Sequence, residues 1–298
     1  MAKSIDKKLT DSNAEVSNGG RAQRFWDGVH LKRSGSYVTD KLAVTVDQFS
    51  VIKKYSLKGF EYGNWVNNND RNDFLTATTE SCEDLAKILG TKNIGCDGTI
   101  GIAFGARGRS KALAHFEPWT FMINLTKEKG FGCLAHEYGH ALDYFFGMYV
   151  DQNVGFTALS GGDTVRSYIQ PMGGKLRQLA MQVVNDVCKD KQGNKSATYI
   201  RLEKEFGGSE YWFRRNEIFA RAFEQYIRYK KDKKGIKNTF LSQKKYENGA
   251  YLFPADFKRI LPVMDSLVKE MAAFMNNRKQ SIGIKRKVAM KVAAKKKS

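Results

Sequence analysis

The segment His136-Glu137-Tyr138-Gly139-His140 restricts most strongly what this chain can fold into. Side chains four residues apart on a helix lie on one face, one turn apart, so two imidazoles can reach a single Zn²⁺ at about 2.0–2.1 Å. The glutamate after the first histidine lies beside that ion and can accept a proton from bound water. The segment therefore predicts a helix over 131–146 that carries a zinc site.

The residues around this segment divide into two faces of the predicted helix. His136, His140 and Asp143 fall on one face, and we expect them to look into a cleft. Asp143 follows His140 by three residues and can orient a metal-bound imidazole. Two surface histidines on an amphipathic helix are the alternative interpretation. The opposite face is apolar and predicts burial against a core; it consists of Leu134, Tyr138, Ala141, Leu142 and Phe145.

A catalytic zinc site needs a third protein ligand. The sixth residue after His140 is Phe146, where the metzincin pattern has a histidine, so that class is excluded. The other histidines, His30 and His115, show no such spacing and are interpreted as structural. A helix predicted over 212–231 places two glutamates away from its apolar face, and a solvated acidic face is the alternative for both. These two candidate ligands are Glu217 and Glu224.

Hydrophobic periodicity places short strands before a mostly helical part, which is an α+β order. Residues 37–66 are predicted as loops and short strands, and 99–104 and 120–125 as strands. The turn at 105–108 lacks both phosphate-binding fingerprints, so its glycines are interpreted as turn residues. Besides the two helices above, helices are predicted at 70–89, 174–189, 196–206 and 255–276.

The chain is strongly basic, with a net charge of +19. This charge favours contact with nucleic acid, anionic surfaces or acidic proteins, and it does not bear on the fold. Residues 278–298 contain nine Lys or Arg and no acid, which predicts either a disordered tail or an arm that binds DNA non-specifically. Residues 1–20 are polar and are predicted to be a flexible segment, which leaves 21–277 as one folded domain.

The cysteines and the hydropathy bear on location. The four cysteines are widely spaced without a Cys-x-x-Cys pair, so we expect free thiols and neither a disulfide framework nor a Cys-rich zinc site. No apolar run approaches the roughly 18 residues that span a bilayer, and the N-terminus lacks the apolar stretch of a secretory signal. We therefore expect no membrane partner, and a cytoplasm or a particle assembled in one as the location.

Several short runs agree in order with one known family; they lie at 101–108, 114–118, 123–127, 134–143, 211–212 and 217–224. Across about residues 55 to 230, the chain resembles a large polyvalent protein-associated domain. Such domains are zincin-like and occur in phage and plasmid proteins that are often delivered to a host alongside DNA. The resemblance implies a phage or mobile-element origin, a bacterial cytoplasm or a virion as the location, and peptidase activity. It supplies no substrate.

The run from Glu217 to Glu224 also resembles the third-ligand helix of anthrax lethal factor-like metalloproteases, in which the first glutamate binds zinc. That resemblance implies Glu217 as the ligand instead of Glu224. In those enzymes a tyrosine shortly before the ligand stabilises the oxyanion. Tyr211 lies near that place, with the spacing shifted by one. The tail at 278–298 has no counterpart in the resemblance.

The predicted function is that of a zinc-dependent peptidase. Glu137 would deprotonate a water on the zinc ion, and Tyr211 or Arg221 would stabilise the oxyanion formed from the peptide carbonyl. The strand at 120–125 would be a sheet edge that pairs with an extended substrate. The fold would be zincin-like, with a small twisted sheet, and the zinc ligands would be His136, His140 and Glu217.

An alternative function belongs to another class of protein. A basic, DNA-associated phage structural or ejected protein, with a vestigial or structural metal site, would account for the net charge of +19 and for the tail. Glu137 favours an enzyme, because a structural zinc site needs no general base. The expected partners are a protein or peptide substrate, DNA through the tail, and other phage virion proteins.

Overall fold

The computed structural model describes residues 31–33, 36–37, 47–107, 113–126, 130–152, 157–242 and 249–277. The segment predicted to be flexible, 1–20, and the basic tail, 278–298, lie outside these residues. His30 lies outside them as well. The domain boundaries at 21 and 277 stay predictions.

Seven α-helices account for about half of the described chain. They are α1 (Gln48–Tyr55), α2 (Asn68–Leu89), α3 (Leu134–Phe145), α4 (Lys175–Cys188), α5 (Ala197–Phe206), α6 (Arg215–Lys233) and α7 (Pro254–Asn276). A π-helical turn, Phe146–Asp151, continues α3, and a 3₁₀ turn, Glu210–Phe213, precedes α6. The helices predicted from periodicity are therefore present, with ends that differ by a few residues. None of the described helices is long and apolar enough to cross a membrane.

The described strands form two small sheets. They are β1 (Leu31–Arg33), β2 (Ser36–Tyr37), β3 (Phe60–Tyr62), β4 (Gly101–Phe104), β5 (Ala114–Glu117), β6 (Met122–Leu125) and β7 (Lys237–Asn238). One sheet has the order β2-β1-β7, with antiparallel pairs. The other has the order β3-β4-β6-β5 and is mixed, because β3, β4 and β6 are parallel and β5 is antiparallel to β6. The predicted α+β class is confirmed.

The order of the mixed sheet corrects one prediction. The strand predicted at 120–125 corresponds to β6, which pairs with β4 through Ile102 and Ile123 and with β5 through Phe116 and Ile123. An interior strand has both edges occupied, so β6 cannot pair with a substrate as an edge strand. Among the described strands, β5 is the edge on that side of the sheet.

Helix α1 corrects a second prediction, because 37–66 was expected to contain only loops and short strands. Asp47 caps this helix, and its carboxylate accepts hydrogen bonds from the backbone N–H groups of Phe49 at 3.2 Å and Ser50 at 3.0 Å. Val51 and Tyr55, one turn apart, are buried, whereas Phe49 is exposed. Two buried positions are too few to give a helical period in the sequence.

The core lies between the mixed sheet and the helices that follow it. Phe74 of α2 stacks on Phe104 of β4, with 4.7 Å between the ring centroids. Helices α3 and α6 pack closely where Gly139 lies against Ala220 and Phe223. A Cβ atom at Gly139 would lie only 3.1 Å from Phe223 Cδ1 and 3.3 Å from Ala220 Cα. The small residues thus let two helices approach at the level of the histidine pair.

Candidate metal centre

Two histidines of α3 and one glutamate of α6 form a cluster at this helix contact. His136 Nε2 lies 3.5 Å from Glu217 Oε2, and His140 Nε2 lies 3.4 Å from Glu217 Oε1. One candidate ligand atom from each residue lies within 4.8 Å of the other two. In the part of the chain that the structure describes, this is the one group of three or more His, Cys, Asp or Glu residues with such spacing.

The cluster follows from where the helices touch. His136 and His140 precede and follow Gly139 on α3, and Glu217 lies one turn before Ala220 on α6. The start of α3 is anchored by backbone hydrogen bonds, because the Ala135 N–H donates to the Leu241 carbonyl at 2.8 Å. Close packing at one point and a fixed helix start therefore bring the three side chains together.

A buried lysine of α6 holds the segment that anchors α3. The Lys231 ammonium donates to the Asn238 carbonyl at 2.6 Å and to Ser242 Oγ at 2.8 Å, on either side of Leu241. Burial lowers the pKa of Lys231 to about 8. This lysine connects α6 to the start of α3, so the two ligand-bearing helices share a polar anchor as well as an apolar contact.

The donor set suits a zinc ion. The side chains of His136, His140 and Glu217 are 17%, 9% and 10% exposed, so the cluster is largely shielded and is most open at His136. Glu217 Oε2 is buried and has no hydrogen-bond partner among the described residues. A buried carboxylate oxygen without a hydrogen-bond donor is costly. The nearest cationic groups, the His136 ring at 3.5 Å and the Arg221 guanidinium at 3.8 Å, offset part of this cost, and a bound metal cation would offset more of it. Two imidazoles and one carboxylate also form a known catalytic zinc set with a fourth position left open.

The charges of the cluster are strongly coupled. Burial disfavours the charged form of His136, but hydrogen bonding to Glu217 and Glu224 outweighs it and raises the pKa of His136 to about 10. Burial favours the neutral form of Glu217, yet His140 and His136 hold the pKa of this carboxyl well below its usual range. A metal cation would take the place of the proton that the cluster otherwise holds.

Glu137 lies on the same helix beside the histidines. It is buried, and burial raises the pKa of its carboxyl above the ordinary value, while His136, His140 and His115 act in the opposite direction. A buried carboxylate with a raised pKa beside a candidate metal site is a common setting of a general base.

The two candidates for oxyanion stabilisation differ in their surroundings. Arg221 is 3% exposed, and its guanidinium lies 3.8 Å from Glu217 Oε2 and donates to the Trp212 carbonyl at 2.5 Å. Tyr211 is 43% exposed, and burial of its hydroxyl together with the charge of Glu217 and a hydrogen bond to it raises its pKa. Arg221 is thus engaged by the protein, whereas Tyr211 lies at Glu217 and also reaches solvent.

Glu224 contacts the other side of the His136 ring. Its Oε2 lies 3.5 Å from His136 Nδ1, and the same oxygen accepts a hydrogen bond from the Tyr251 hydroxyl at 2.7 Å. Of the two glutamates left open by the helix pattern, Glu217 joins the Nε2 atoms and Glu224 does not. Glu224 instead has the position of a carboxylate that orients a ligating imidazole. Sequence reasoning gave no indication of Tyr251, because it lies on a separate segment.

Asp143 has a different partner from the one expected. Its carboxylate accepts hydrogen bonds from the Ser160 backbone N–H at 2.8 Å and from Ser160 Oγ at 2.6 Å. Burial raises the pKa of Asp143 to about 6, although both bonds from Ser160 oppose this. Within the described residues, no hydrogen bond joins it to an imidazole. Asp143 therefore fixes the segment around Ser160 against α3, and its expected role as the orienting group was wrong.

A fully buried arginine holds the start of α6. The Arg215 guanidinium donates to the carbonyl oxygens of Ser160 at 2.7 Å and Arg166 at 3.0 Å, and to Asn185 Oδ1 at 3.0 Å. Burial lowers its pKa to about 10. Arg215 is two residues before Glu217. These bonds therefore fix the position of Glu217 relative to the segment around Ser160, which Asp143 holds against α3.

His115 was interpreted as structural, but it lies closer to the site than expected. It is on the edge strand β5, with Nε2 3.4 Å from Glu117 Oε1, and its Nδ1 is buried without a hydrogen-bond partner in the described chain. A positive charge on its ring would favour the ionised form of Glu137. The spacing of histidines could not reveal this, because β5 reaches α3 only through the tertiary fold.

Residues 204–274 match the family model described as large polyvalent protein-associated domain 1. The predicted resemblance to a large polyvalent protein-associated domain is confirmed over this segment, which contains Tyr211, Glu217, Glu224 and Tyr251. It was expected over about 55 to 230, so the two ranges overlap only in part, and the histidine pair lies outside the match. No curated protein and no solved structure matches the chain.

Proposed function

We propose that this protein is a zinc-dependent metalloendopeptidase of phage or mobile-element origin. The observation that carries the proposal is the convergence of His136, His140 and Glu217, with an orphaned buried oxygen of Glu217 aimed into the cluster. Glu137, next to the first histidine, adds the general base that a structural zinc site does not need. The family match supports the origin, and it does not bear on the chemistry.

The chain's residues have distinct roles in this proposal. When bound by His136, His140 and Glu217, Zn²⁺ supplies a Lewis acid that makes water acidic and polarises a carbonyl oxygen. Glu137 removes a proton from the attacking water and later delivers it to the leaving amine. Tyr211 donates a hydrogen bond to the oxyanion, since its hydroxyl lies beside Glu217 and the residue is partly exposed.

The substrate would lie along the outer edge of β5, and not along β6 as the sequence suggested. Strand β5 packs against α3, where Phe116 contacts Tyr144 with 5.9 Å between ring centroids. An extended peptide added to this edge would run beside the histidine face of α3. Cleavage of extended segments in a protein substrate follows from this arrangement.

The test compares wild type with Glu137→Gln and with the double variant His136→Ala, His140→Ala. Purified without chelator, wild type and Glu137→Gln should each contain close to one zinc per chain by elemental analysis, because Gln leaves the ligands in place. The double variant should contain none. Wild type should create new termini in a bacterial lysate, measured by mass spectrometry, and Glu137→Gln should reduce their rate of formation about 10²–10⁴-fold.

Two outcomes would contradict the proposal. Wild-type protein without zinc would remove the metal site, and identical termini with wild type and a zinc-loaded Glu137→Gln variant would remove the peptidase. The second result would favour the other candidate, a basic phage structural or ejected protein, for which the net charge of +19 is the supporting observation.

A further inference from the structure

A groove of about 400 Å³ opens beside the 3₁₀ turn that carries Tyr211. Its walls come from three segments: the chain before α4, helix α5 and the turn itself. The lining residues are Val165, Tyr199, Glu203, Gly207, Glu210 and Phe213. None of them takes part in the metal cluster or in the chemistry proposed above.

One wall of the groove belongs to a turn that also touches the metal centre, and a second wall is hydrogen-bonded to the start of α6. Glu210 and Phe213 share a four-residue turn with Tyr211, whose hydroxyl lies at Glu217. On the other wall, Val165 follows Thr164, whose carbonyl accepts a hydrogen bond from the Arg215 N–H at 2.9 Å. Through Tyr211, the turn that forms one wall of the groove therefore also reaches the metal centre.

The interior of the groove is aromatic. Tyr199 and Phe213 meet edge to face, with 5.7 Å between ring centroids and 75° between ring planes. Gly207, at the end of α5, also lines the groove. An unbranched aliphatic chain can pack against such a surface over several methylene groups.

The charge on the wall is negative, which is unusual for a chain with a net charge of +19. Glu203 is already neutralised, because Lys195 Nζ lies 2.8 Å from both of its carboxylate oxygens. Glu210 forms no ion pair with any residue that the structure describes, and it is exposed. The groove therefore combines two aromatic side chains with one carboxylate that has no ion pair in the described chain.

We propose that this groove receives a lysine or arginine side chain of the substrate peptide. The aliphatic stem lies against Tyr199 and Phe213, and the charged end reaches Glu210, as long basic side chains do at the rim of apolar surfaces. The aromatic faces add an attraction for the cation. This selectivity rests on the proposed peptidase function for its purpose, but the groove binds whether or not the bond is cut.

The test measures binding to zinc-loaded protein that carries Glu137→Gln, so that cleavage does not interfere. The probes are two fluorescein-labelled decapeptides of Gly, Ser and Ala that differ only in a central Lys or Met, followed by fluorescence anisotropy. The overall field of a basic protein disfavours the Lys peptide, so tighter binding of it requires a local acidic site. We expect the Lys peptide to bind about three- to fivefold more tightly, as for an exposed ion pair.

The decisive variant adds Glu210→Gln, and the matched control adds Glu205→Gln. Glu205 lies on α5 two residues after Glu203 and does not line the groove, so its substitution changes the net charge equally. The preference for Lys should vanish with Glu210→Gln and persist with Glu205→Gln. Equal binding of both peptides, no binding of either, or a preference that survives Glu210→Gln would each overturn the groove assignment.

Cleavage of a randomised peptide library by the wild-type chain separates the two proposals. Glu210-dependent binding by a protein that cleaves nothing would keep the groove and refute the peptidase. Cleavage with no basic preference, or with a basic preference that Glu210→Gln leaves unchanged, would keep the peptidase and refute the groove.

Discussion

His136 has a carboxylate at each of its ring nitrogens, which decides how the ring can be used. Glu217 lies at Nε2 and Glu224 at Nδ1, and Tyr251 donates to the Glu224 oxygen that faces the ring. A hydrogen bond from Nδ1–H to Glu224 leaves Nε2 as the free lone pair, which is the tautomer that a metal needs. The Tyr251 hydroxyl restrains the carboxylate that restrains the imidazole.

Tyr251→Phe should weaken zinc binding without removing a ligand. The change deletes one hydrogen bond to Glu224, and we expect a loss of affinity of about three- to tenfold; Glu224→Gln should lose about 10–100-fold. Competition with a chromophoric chelator measures both. Cobalt-substituted protein should show altered ligand-field bands in each variant.

Tyr226→Phe is the matched control. Tyr226 is on α6, and its hydroxyl also donates a hydrogen bond to a carboxylate, that of Asp265 at 2.7 Å, which is not part of the cluster. This variant should lose stability comparable to that of Tyr251→Phe while keeping wild-type zinc affinity. If wild type, Tyr251→Phe and Tyr226→Phe bind zinc with equal affinity, Tyr251 serves only the packing of its own segment.

Zinc affinity should rise with pH well beyond neutrality. The pKa of His136 in the metal-free protein is raised to about 10, so its proton must leave before zinc binds. Below that pKa, each unit of pH should increase log affinity by about one for this proton alone. A histidine near its ordinary pKa of about 6.5 would give a plateau above about pH 7. Chelator competition from pH 6 to 9 distinguishes the two cases. An affinity that stops rising above pH 7 would contradict the raised pKa of His136.

For single residues, the sequence predicted the face of the helix on which a side chain lies, but not which other side chains it contacts. The helix face correctly grouped His136 and His140, and the run around Glu217 indicated the residue that the structure brings to them. The same face argument failed for Asp143. A helix face predicts the side on which a carboxylate lies, but it does not predict that Ser160 will be its hydrogen-bond partner. Tyr251 and His115 could not be found from the sequence, since only tertiary contacts bring them near the cluster.

The contact between α3 and α6 acts as the frame of the metal cluster. Gly139 lies against Ala220 and Phe223 so closely that even a methyl group would be tight, at 3.1 Å from the Phe223 ring. The glycine costs α3 about 1 kcal/mol in helix propensity relative to alanine. In return, the absence of a side chain at Gly139 lets the two helices approach, which brings the histidines close to Glu217.

Gly139→Ala and Gly139→Val should therefore separate propensity from spacing. Alanine requires a shift of a few tenths of an ångström and gains helix propensity, so we expect a stability within about 1 kcal/mol of wild type and retained zinc. Valine should overpack the contact and lower the free energy of unfolding by about 1–3 kcal/mol. Because it pushes α6 away, zinc affinity should fall at least about tenfold.

Denaturant unfolding of the metal-free proteins measures the first effect, and chelator competition measures the second. The alanine variant serves as the control for loss of glycine itself. A valine variant that binds zinc like wild type would mean that the helix spacing does not set the ligand geometry.

Elements with long, strongly periodic patterns were predictable, and relations between elements were not. Helices α2 to α7 were expected because each presents several turns of apolar positions to the core. The short α1 was missed, since only Val51 and Tyr55 of its residues are buried. The position of β6 inside the sheet was missed because a strand's own residues do not encode its neighbours.

Charge is the property that belongs to the whole chain. The net charge is +19, and nine of the basic residues lie at 278–298, where there is no acid and no aromatic residue. Without aromatic side chains, base stacking is excluded as a mode of recognition there. Contact with phosphates driven by counterion release remains, and it is independent of base sequence.

Truncation after Asn277 should test this mode of binding. If the tail places about six charges on duplex DNA, log affinity should fall with log salt at a slope near about −5, and truncation should flatten that slope. Fluorescence anisotropy from about 50 to 200 mM salt measures it. Zinc content should not change, because no ligand of the cluster lies beyond residue 277. An unchanged slope would assign DNA binding to the rest of the chain.

The division of the metal cluster between α3 and α6 has a consequence for related proteins. The segment that matches the family model, 204–274, contains one of the three residues of the candidate metal cluster, Glu217, whereas His136, Glu137 and His140 lie far upstream. A protein that shares only this segment would have the glutamate of the cluster without its two histidines. If the cluster binds zinc as proposed, a match to this segment alone does not predict a metal site, and the upstream histidine pair is the feature that would have to be present as well.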